Sequence, residues 1–216
     1  MTGGLAERLG RCYSAAVHDV MRAMGLRDFV LPPEIKPLLP DSVLAGPAFT
    51  FRGHVDPSLA AHDSYMGWTA FLSQAPPGCV ALCQANDAAV AHMGELSAET
   101  LKLRGIRGYI VDGGCRDTAF IRSMGFPVWC RYLTPRDIVG YWLAEGLGEP
   151  IDIGGVAIRS GDQVLADSDG IVVLPADKAA EIVERTEEVM GKENLLRKAI
   201  LDGMDPQEAY LKFRKF

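Results

Sequence analysis

Gly108 to Asp117 reads Gly-Tyr-Ile-Val-Asp-Gly-Gly-Cys-Arg-Asp, an apolar run that ends in a glycine pair and then presents an arginine beside an aspartate. Thr118 to Gly125 has a helical pattern, so Arg116 and Asp117 sit where a strand hands over to a helix. Unpaired backbone N–H groups and the helix dipole favour anions at such a place, and open α/β sheets bind ligands at the carboxyl ends of their strands. The two glycines suit a tight turn that lets a ligand come close to the backbone. One unit upstream, Ala88 to Met93 is a short, largely apolar run of strand length, and Gly94-Glu95-Leu96-Ser97 opens a helix that runs through Leu103 and stops at Gly105. Twenty residues separate Glu95 from Arg116, the length of one helix plus one strand. If the two strands are parallel neighbours, two carboxylates and a guanidinium converge on one rim.

Such a trio has a definite chemistry. An arginine offers a fixed fork matched to a carboxylate. Two carboxylates alone would repel an anionic substrate, whereas a hard divalent cation takes oxygen ligands readily. A metal, an arginine and helix N-termini together suit a 2-oxo acid, with its carboxylate on Arg116 and the amides and its keto oxygen on the metal. The competing reading is a surface ion pair at a helix start, because Asp is common in a first helical turn. Residue types and spacing leave both open.

Glu95, twenty intervening residues and Arg116-Asp117 inside Val-Asp-Gly-Gly-Cys-Arg-Asp-Thr resemble the acidic-X20-Arg-Asp signature of the RraA-like family. Val43 to Thr50, Met124 to Val128 and Gly161 to Pro175 also look like family blocks in family order, so the resemblance covers most of the chain. It implies a class II aldolase of the 4-hydroxy-4-methyl-2-oxoglutarate and 4-carboxy-4-hydroxy-2-oxoadipate type, releasing pyruvate with oxaloacetate decarboxylation as a side activity. By the same resemblance, Asp117 is the direct ligand of Mg2+ or Mn2+ and Arg116 holds the pyruvate-like carboxylate and steadies the enolate. Gly94, Glu95, Leu96 and Ser97 offer backbone amides, and Glu95 reaches the metal through water. An acidic residue of a neighbouring subunit, with Glu193 as the candidate, joins the metal's water shell. The implied fold is a layered β/β/α domain like the swivelling phosphohistidine domains, assembled as a homotrimer or a pair of trimers. Two departures bear on the substrate: the aldolases more often carry Asp at the Glu95 position, and an acidic residue where this chain has Phe120. The family also contains non-catalytic regulators that bind a ribonuclease. Retention of Asp117 argues against that alternative, and a lyase acting on another 2-oxo acid is the third.

The rest of the chain must position this rim. Its 216 residues, 48% of them hydrophobic, suffice for one α/β domain, and no linker, repeat or low-complexity tract divides it. A net charge of −6 gives no basic footprint for nucleic acid, and no apolar run approaches membrane-spanning length. The expectation is a soluble, cytoplasmic protein. Five cysteines without zinc-like spacing read as small core residues, with Cys115 a remote candidate for a reactive thiol.

Residues 4 to 24 read as one amphipathic helix, Leu31 to Pro40 as a proline-rich connector, Val43 to Phe51 as a strand, and Leu59 to Leu72 as a helix with Trp68 and Phe71 turned inward. Cys79 to Gln84 and Val128 to Tyr132 read as strands, and Thr134-Pro135-Arg136-Asp137 as a helix start. This second Arg-Asp pair lacks a glycine turn and reads as structural or as a lining of the pocket mouth. Tyr141 and Trp142 offer apolar surface for a subunit contact. His54 and His62 read as structural or solvated. His92 is a proton-transfer candidate by position, with a packed or surface histidine preferred. Residues 79 to 125 thus carry the site, and residues 151 to 175 form a β-rich segment with a hairpin turn at Asp167-Ser168-Asp169-Gly170. Residues 176 to 216 are helical, with a basic end.

Overall fold

The computed structural model describes residues 3–213. In chain order it runs α1 (Leu5–Leu9), α2 (Ser14–Ala23), β1 (Lys36–Pro37), β2 (Leu44–Val55), α3 (Ala61–Gln74), β3 (Val80–Gln84), α4 (Glu95–Leu103) and β4 (Gly108–Val111). Then follow β5 (Gly114–Cys115), α5 (Thr118–Met124), β6 (Val128–Cys130), β7 (Tyr132–Leu133), β8 (Trp142–Glu145), β9 (Ile151–Ile153) and β10 (Val156–Ile158). The chain closes with β11 (Gln163–Ala166), β12 (Ile171–Leu174), α6 (Ala179–Leu201) and α7 (Pro206–Phe213), and the basic end expected beyond Phe213 lies outside the described residues.

Among those residues the main sheet has the order β1-β6-β4-β3-β2-β11-β12, with β8 also paired to β2. Strands β2, β3, β4 and β6 are parallel, and β1, β8, β11 and β12 join antiparallel. The long β2 holds the curled sheet together: residues 44–47 pair with β11, residues 48–52 with β3, and residues 52–55 with β8. The result is a mixed α/β fold whose parallel centre carries the expected site-bearing units.

Strand β3 is buried along Val80 to Cys83, which is why it reads as a continuous apolar run rather than an alternation. On one face Phe51, Phe71, Tyr109 and Trp142 pack beneath α3 and α4, with Phe51 stacked on Phe71 at 4.0 Å between centroids. Each such side chain, taken fully out of water, contributes roughly 1.5–3 kcal/mol. On the opposite face, the hairpin β9–β10 lays Ile151, Ile153 and Ile158 over Val80, Leu82 and Ile110. A third cluster joins Leu9, Val17 and Met21 to Leu174 and Ile182.

Several expectations need correction. The first helix is two helices, because the Ser14 N–H goes to the Asp167 carboxylate at 2.7 Å instead of continuing the helical ladder, and the Ser14 hydroxyl follows at 2.8 Å. Ala88 to Met93 is a loop rather than a strand. Asp87 Oδ2 accepts the Ala89 and Val90 N–H groups, each at 2.9 Å, and curls the chain out of extended form, leaving one parallel bridge from Ala91 to Gly114. No helix follows Thr134: the Arg136 carbonyl accepts the Ala91 N–H at 2.9 Å and the segment stays irregular. Trp142 offers no subunit surface, since it is fully buried and its indole N–H donates to the Ala85 carbonyl at 2.7 Å.

Other readings hold. Trp68 and Phe71 face inward, His54 and His62 are exposed, and the Asp167–Gly170 turn joins the antiparallel pair β11–β12. All five cysteines are buried and free. For Cys115, a hydrogen bond with Cys130 and burial push the thiol well above its ordinary pKa, so it is not a reactive centre. Among the described residues, no helix is long and apolar enough to cross a membrane.

Candidate active site

Two loops meet at the carboxyl ends of β3 and β4. They are stitched together by main-chain contacts in register: His92 N–H to the Gly114 carbonyl at 2.8 Å, then Arg116 N–H to the Met93 carbonyl at 2.9 Å. The last rung is Glu95 N–H to Asp117 Oδ2 at 3.2 Å. Residues 92–95 therefore lie alongside 114–117, and the rim inferred from spacing is formed by loops just past the strands rather than by the strand ends themselves.

Asp117 is the N-cap residue of α5 in the left-handed conformation (φ 54°, ψ 32°), an arrangement that Asp tolerates better than most side chains at a cost on the order of 1 kcal/mol or more. Its carboxylate does not cap its own helix. It turns instead to the first amide of α4, so the helix start facing the cleft is that of the nine-residue α4 rather than the seven-residue α5. The first hydrogen bond within α4 runs from Ala98 N–H to the Gly94 carbonyl, which leaves the Leu96 and Ser97 amides outside the helical ladder.

Arg116 lies between two carboxylates. Its Nε is 3.4 Å from Asp117 Oδ2 and its Nη1 is 3.4 Å from Asp137 Oδ2, with the side chains 38%, 41% and 47% exposed respectively. Both contacts are long for hydrogen bonds, so the fork is oriented without being saturated. Gly94 leaves room for this pair: a Cβ there would lie 2.7 Å from Asp117 Oδ2 and 3.2 Å from Arg116 Nε and would push both side chains aside.

Gly94, Glu95, Leu96, Ser97, Arg116 and Asp117 line one cleft of about 540 Å3, and Asp137 joins them at its edge. The opposite wall is apolar, with Tyr65, Trp68, Leu72 and Val139, and Trp68 donates its indole N–H to Ser97 Oγ at 2.9 Å. Phe120, which replaces the acid expected three residues after Asp117, is 56% exposed. The second Arg-Asp pair thus does line the mouth, through Asp137. The apolar wall was not legible, because α3 is distant in sequence from both loops.

His92 lies beneath the rim with its side chain fully buried. Nδ1 accepts the Gly114 N–H at 3.3 Å, Nε2 comes within 3.5 Å of Asp87 Oδ2, and the ring stands edge-on to Trp142 with centroids 4.8 Å apart. Burial, opposed by the Asp87 charge, lowers its pKa to about 4, so it is neutral near pH 7 and its contact with Asp87 is not an ion pair. That environment makes it a packed histidine rather than a proton carrier to the cleft. Glu193 lies apart from the cleft: it accepts from the Tyr13 hydroxyl and lines a separate hollow with Leu196 and Arg197.

Asp117, Glu95 and Asp137 are the hard oxygen donors of the cleft. No group of three or more His, Cys, Asp or Glu close enough to enclose an ion occurs among the described residues. A divalent cation at this cleft would have to keep waters or take oxygens from a substrate, because these carboxylates alone do not enclose one.

The sequence matches the family profile described as Aldolase/RraA over residues 14–173. It is 28% identical to a Halalkalibacterium halodurans protein named "Putative 4-hydroxy-4-methyl-2-oxoglutarate aldolase", over 82% of this chain and 81% of that protein. It is also 28% identical to protein DlpA of Legionella pneumophila over 95% of this chain, but spans only 33% of that protein's length. The crystal structure of Streptomyces coelicolor RraAS2, described as an unusual member of the RNase ES inhibitor RraA protein family, superposes with a TM-score of 0.80 at 30% identity, covering 91% of this chain and 97% of that one.

Proposed function

The chain belongs to the RraA-like family, and from that premise we propose that it is a carbon–carbon lyase that cleaves a 4-hydroxy-2-oxo acid, of the 4-hydroxy-4-methyl-2-oxoglutarate type, into pyruvate and a second oxo acid. The observation that carries this reading is the arrangement around Gly94: one arginine fork, one carboxylate turned away from its own helix, and free helix-start amides, all facing one cleft.

Asp117 would hold a divalent ion, Mg2+ or Mn2+, directly, and Glu95 would hold it through water. Once bound, such an ion acts as a Lewis acid on the 2-oxo group. The chain's own groups do the rest. Arg116 takes the substrate carboxylate on its guanidinium fork. A water held and tuned by Glu95 takes the 4-hydroxyl proton as the C3–C4 bond breaks and C4 becomes a carbonyl. The electron pair of that bond passes to the pyruvate enolate, whose charge Arg116 and the Leu96 and Ser97 amides stabilise until C3 is protonated. Oxaloacetate decarboxylation passes through the same enolate and is the natural side reaction. Assembly as a trimer or hexamer belongs to this reading, with an acidic residue of a second copy, for which Glu193 is the candidate, reaching the site.

The likeness to RraAS2 favours a second reading, a regulator that binds a ribonuclease. Pyruvate release from candidate oxo acids, with and without Mg2+ or Mn2+, separates the two. Metal-dependent pyruvate release supports the lyase; its absence with every 4-hydroxy-2-oxo acid tried, together with tight ribonuclease binding, supports the regulator.

A further inference from the structure

We propose that His92 is a positioning residue that sets the register of the Arg116–Asp117 loop against the α4 loop, acting as a neutral imidazole with its proton on Nε2. Four contacts carry this. The His92 main chain donates to the Gly114 carbonyl, while the Gly114 N–H returns to His92 Nδ1. The same residue's carbonyl accepts the Tyr109 hydroxyl at 2.9 Å, which ties it to β4. The Nε2 edge faces Asp87, whose carboxylate is already fixed by the Ala89 and Val90 amides.

Because Nδ1 meets an N–H donor, it must carry the lone pair, and the single proton of the neutral ring is then on Nε2, facing Asp87. His92 is thus a clasp whose tautomer is selected by the Gly114 amide at Nδ1, while Nε2 makes no hydrogen bond among the described residues and only lies near Asp87 Oδ2, at 3.5 Å. Two residues on from Gly114 stands Arg116, bonded to Met93, the neighbour of His92. The clasp is therefore the lowest rung of the ladder whose upper rungs aim Arg116 and Asp117. The first glycine of the pair abuts the same ring, since a Cβ at Gly113 would lie 2.5 Å from His92 Nδ1, whereas a Cβ at Gly114 would meet Tyr132 and the Val90 carbonyl. An apolar residue at position 92 fills the space but leaves the buried Gly114 N–H without its acceptor. The kinetic consequence rests on the lyase reading above; the clasp itself does not.

The test uses the whole chain and the variants His92→Asn, whose amide oxygen lies near the Nδ1 position, and His92→Leu. Nitrogen-15 NMR of labelled imidazoles in the metal-free protein should show the His92 ring, identified by its disappearance in His92→Asn, with unprotonated Nδ1 at pH 7. Amide hydrogen exchange at Gly114 and Arg116 should quicken about tenfold or more in His92→Leu and stay near wild type in His92→Asn, with β3 unchanged in both. In pyruvate release, kcat/KM should fall about a hundredfold in His92→Leu, the scale of a misplacement near 1 Å, and no more than about threefold in His92→Asn. A protonated Nδ1, or exchange at Gly114 and Arg116 in His92→Leu matching wild type, overturns the proposal. If His92→Leu does not fold, the ring tautomer and the His92→Asn exchange decide. Wild-type protein that releases no pyruvate but shows the expected tautomer and exchange pattern counts against the lyase reading and supports the clasp.

Discussion

Of the chain's three Arg-Asp dipeptides, Arg27-Asp28 lies away from the cleft, and of the two that reach it, Arg116-Asp117 and Arg136-Asp137, only the first is built as a site. Arg116-Asp117 follows a glycine pair, is stitched rung by rung to the α4 loop, and turns its carboxylate to another helix's first amide. Arg136-Asp137 lies in an irregular segment where Asp137 Oδ1 accepts the Val139 N–H at 3.2 Å, a local turn contact, while Oδ2 reaches Arg116. Composition at the dipeptide is identical, so what separates a site from a lining is the backbone behind it. The left-handed Asp117 and the glycines at 94 and 113 allow a close approach that nothing around residue 136 reproduces.

The sharpest break of this comparison is Asp117→Ala. Metal-dependent pyruvate release should fall about a thousandfold or more, on the order of 4 kcal/mol, while Asp137→Ala retains most of the rate; equal losses measured by kcat/KM would erase the distinction. Arg116→Lys keeps the charge and loses the fork, at about 2–4 kcal/mol of transition-state stabilisation, and wild-type kinetics there would make bidentate contact irrelevant.

The support beneath the first pair also has a pH signature. Burial holds the folded His92 pKa near 4 against 6.5 for the free side chain, so between those values the unfolded chain binds the extra proton. Stability from this group is complete above about pH 6.5, declines as pH falls through that window by up to roughly 3 kcal/mol, and levels off below pH 4. Urea midpoints from pH 7.5 to 4.5 should therefore slope less in His92→Asn than in wild type; parallel slopes would remove the histidine from the account. The smallest expected effect is Arg136→Ala, within about threefold of wild-type kcat/KM, because an exposed arginine outside the ladder supports little. A larger loss would show that the second pair is more than a lining.

Much of the site was legible because its contacts are short-range in pattern. The Gly-Gly-Cys-Arg-Asp turn and the Gly94-Glu95 helix start announce their backbone conformations, and parallel neighbours bring them to one rim. What could not be read depends on where a polar group finds its partner. Ser14 turns to Asp167 and splits the first helix, and Asp87 captures two amides and turns an apolar run into a loop. Trp142 looked like surface because β8 pairs with a strand some ninety residues earlier, and no local pattern foretells that neighbour.

If Asp117 and the α4 start form a metal-assisted oxo-acid site, Mn2+ titrated into the protein, with free Mn2+ read by electron paramagnetic resonance and oxalate added as an enolate mimic, will bind there. One Mn2+ site per chain is expected, which tightens with oxalate in the wild type and disappears in Asp117→Ala, with an unchanged melting temperature. Equal Mn2+ uptake by the two proteins, with no response to oxalate, would contradict it.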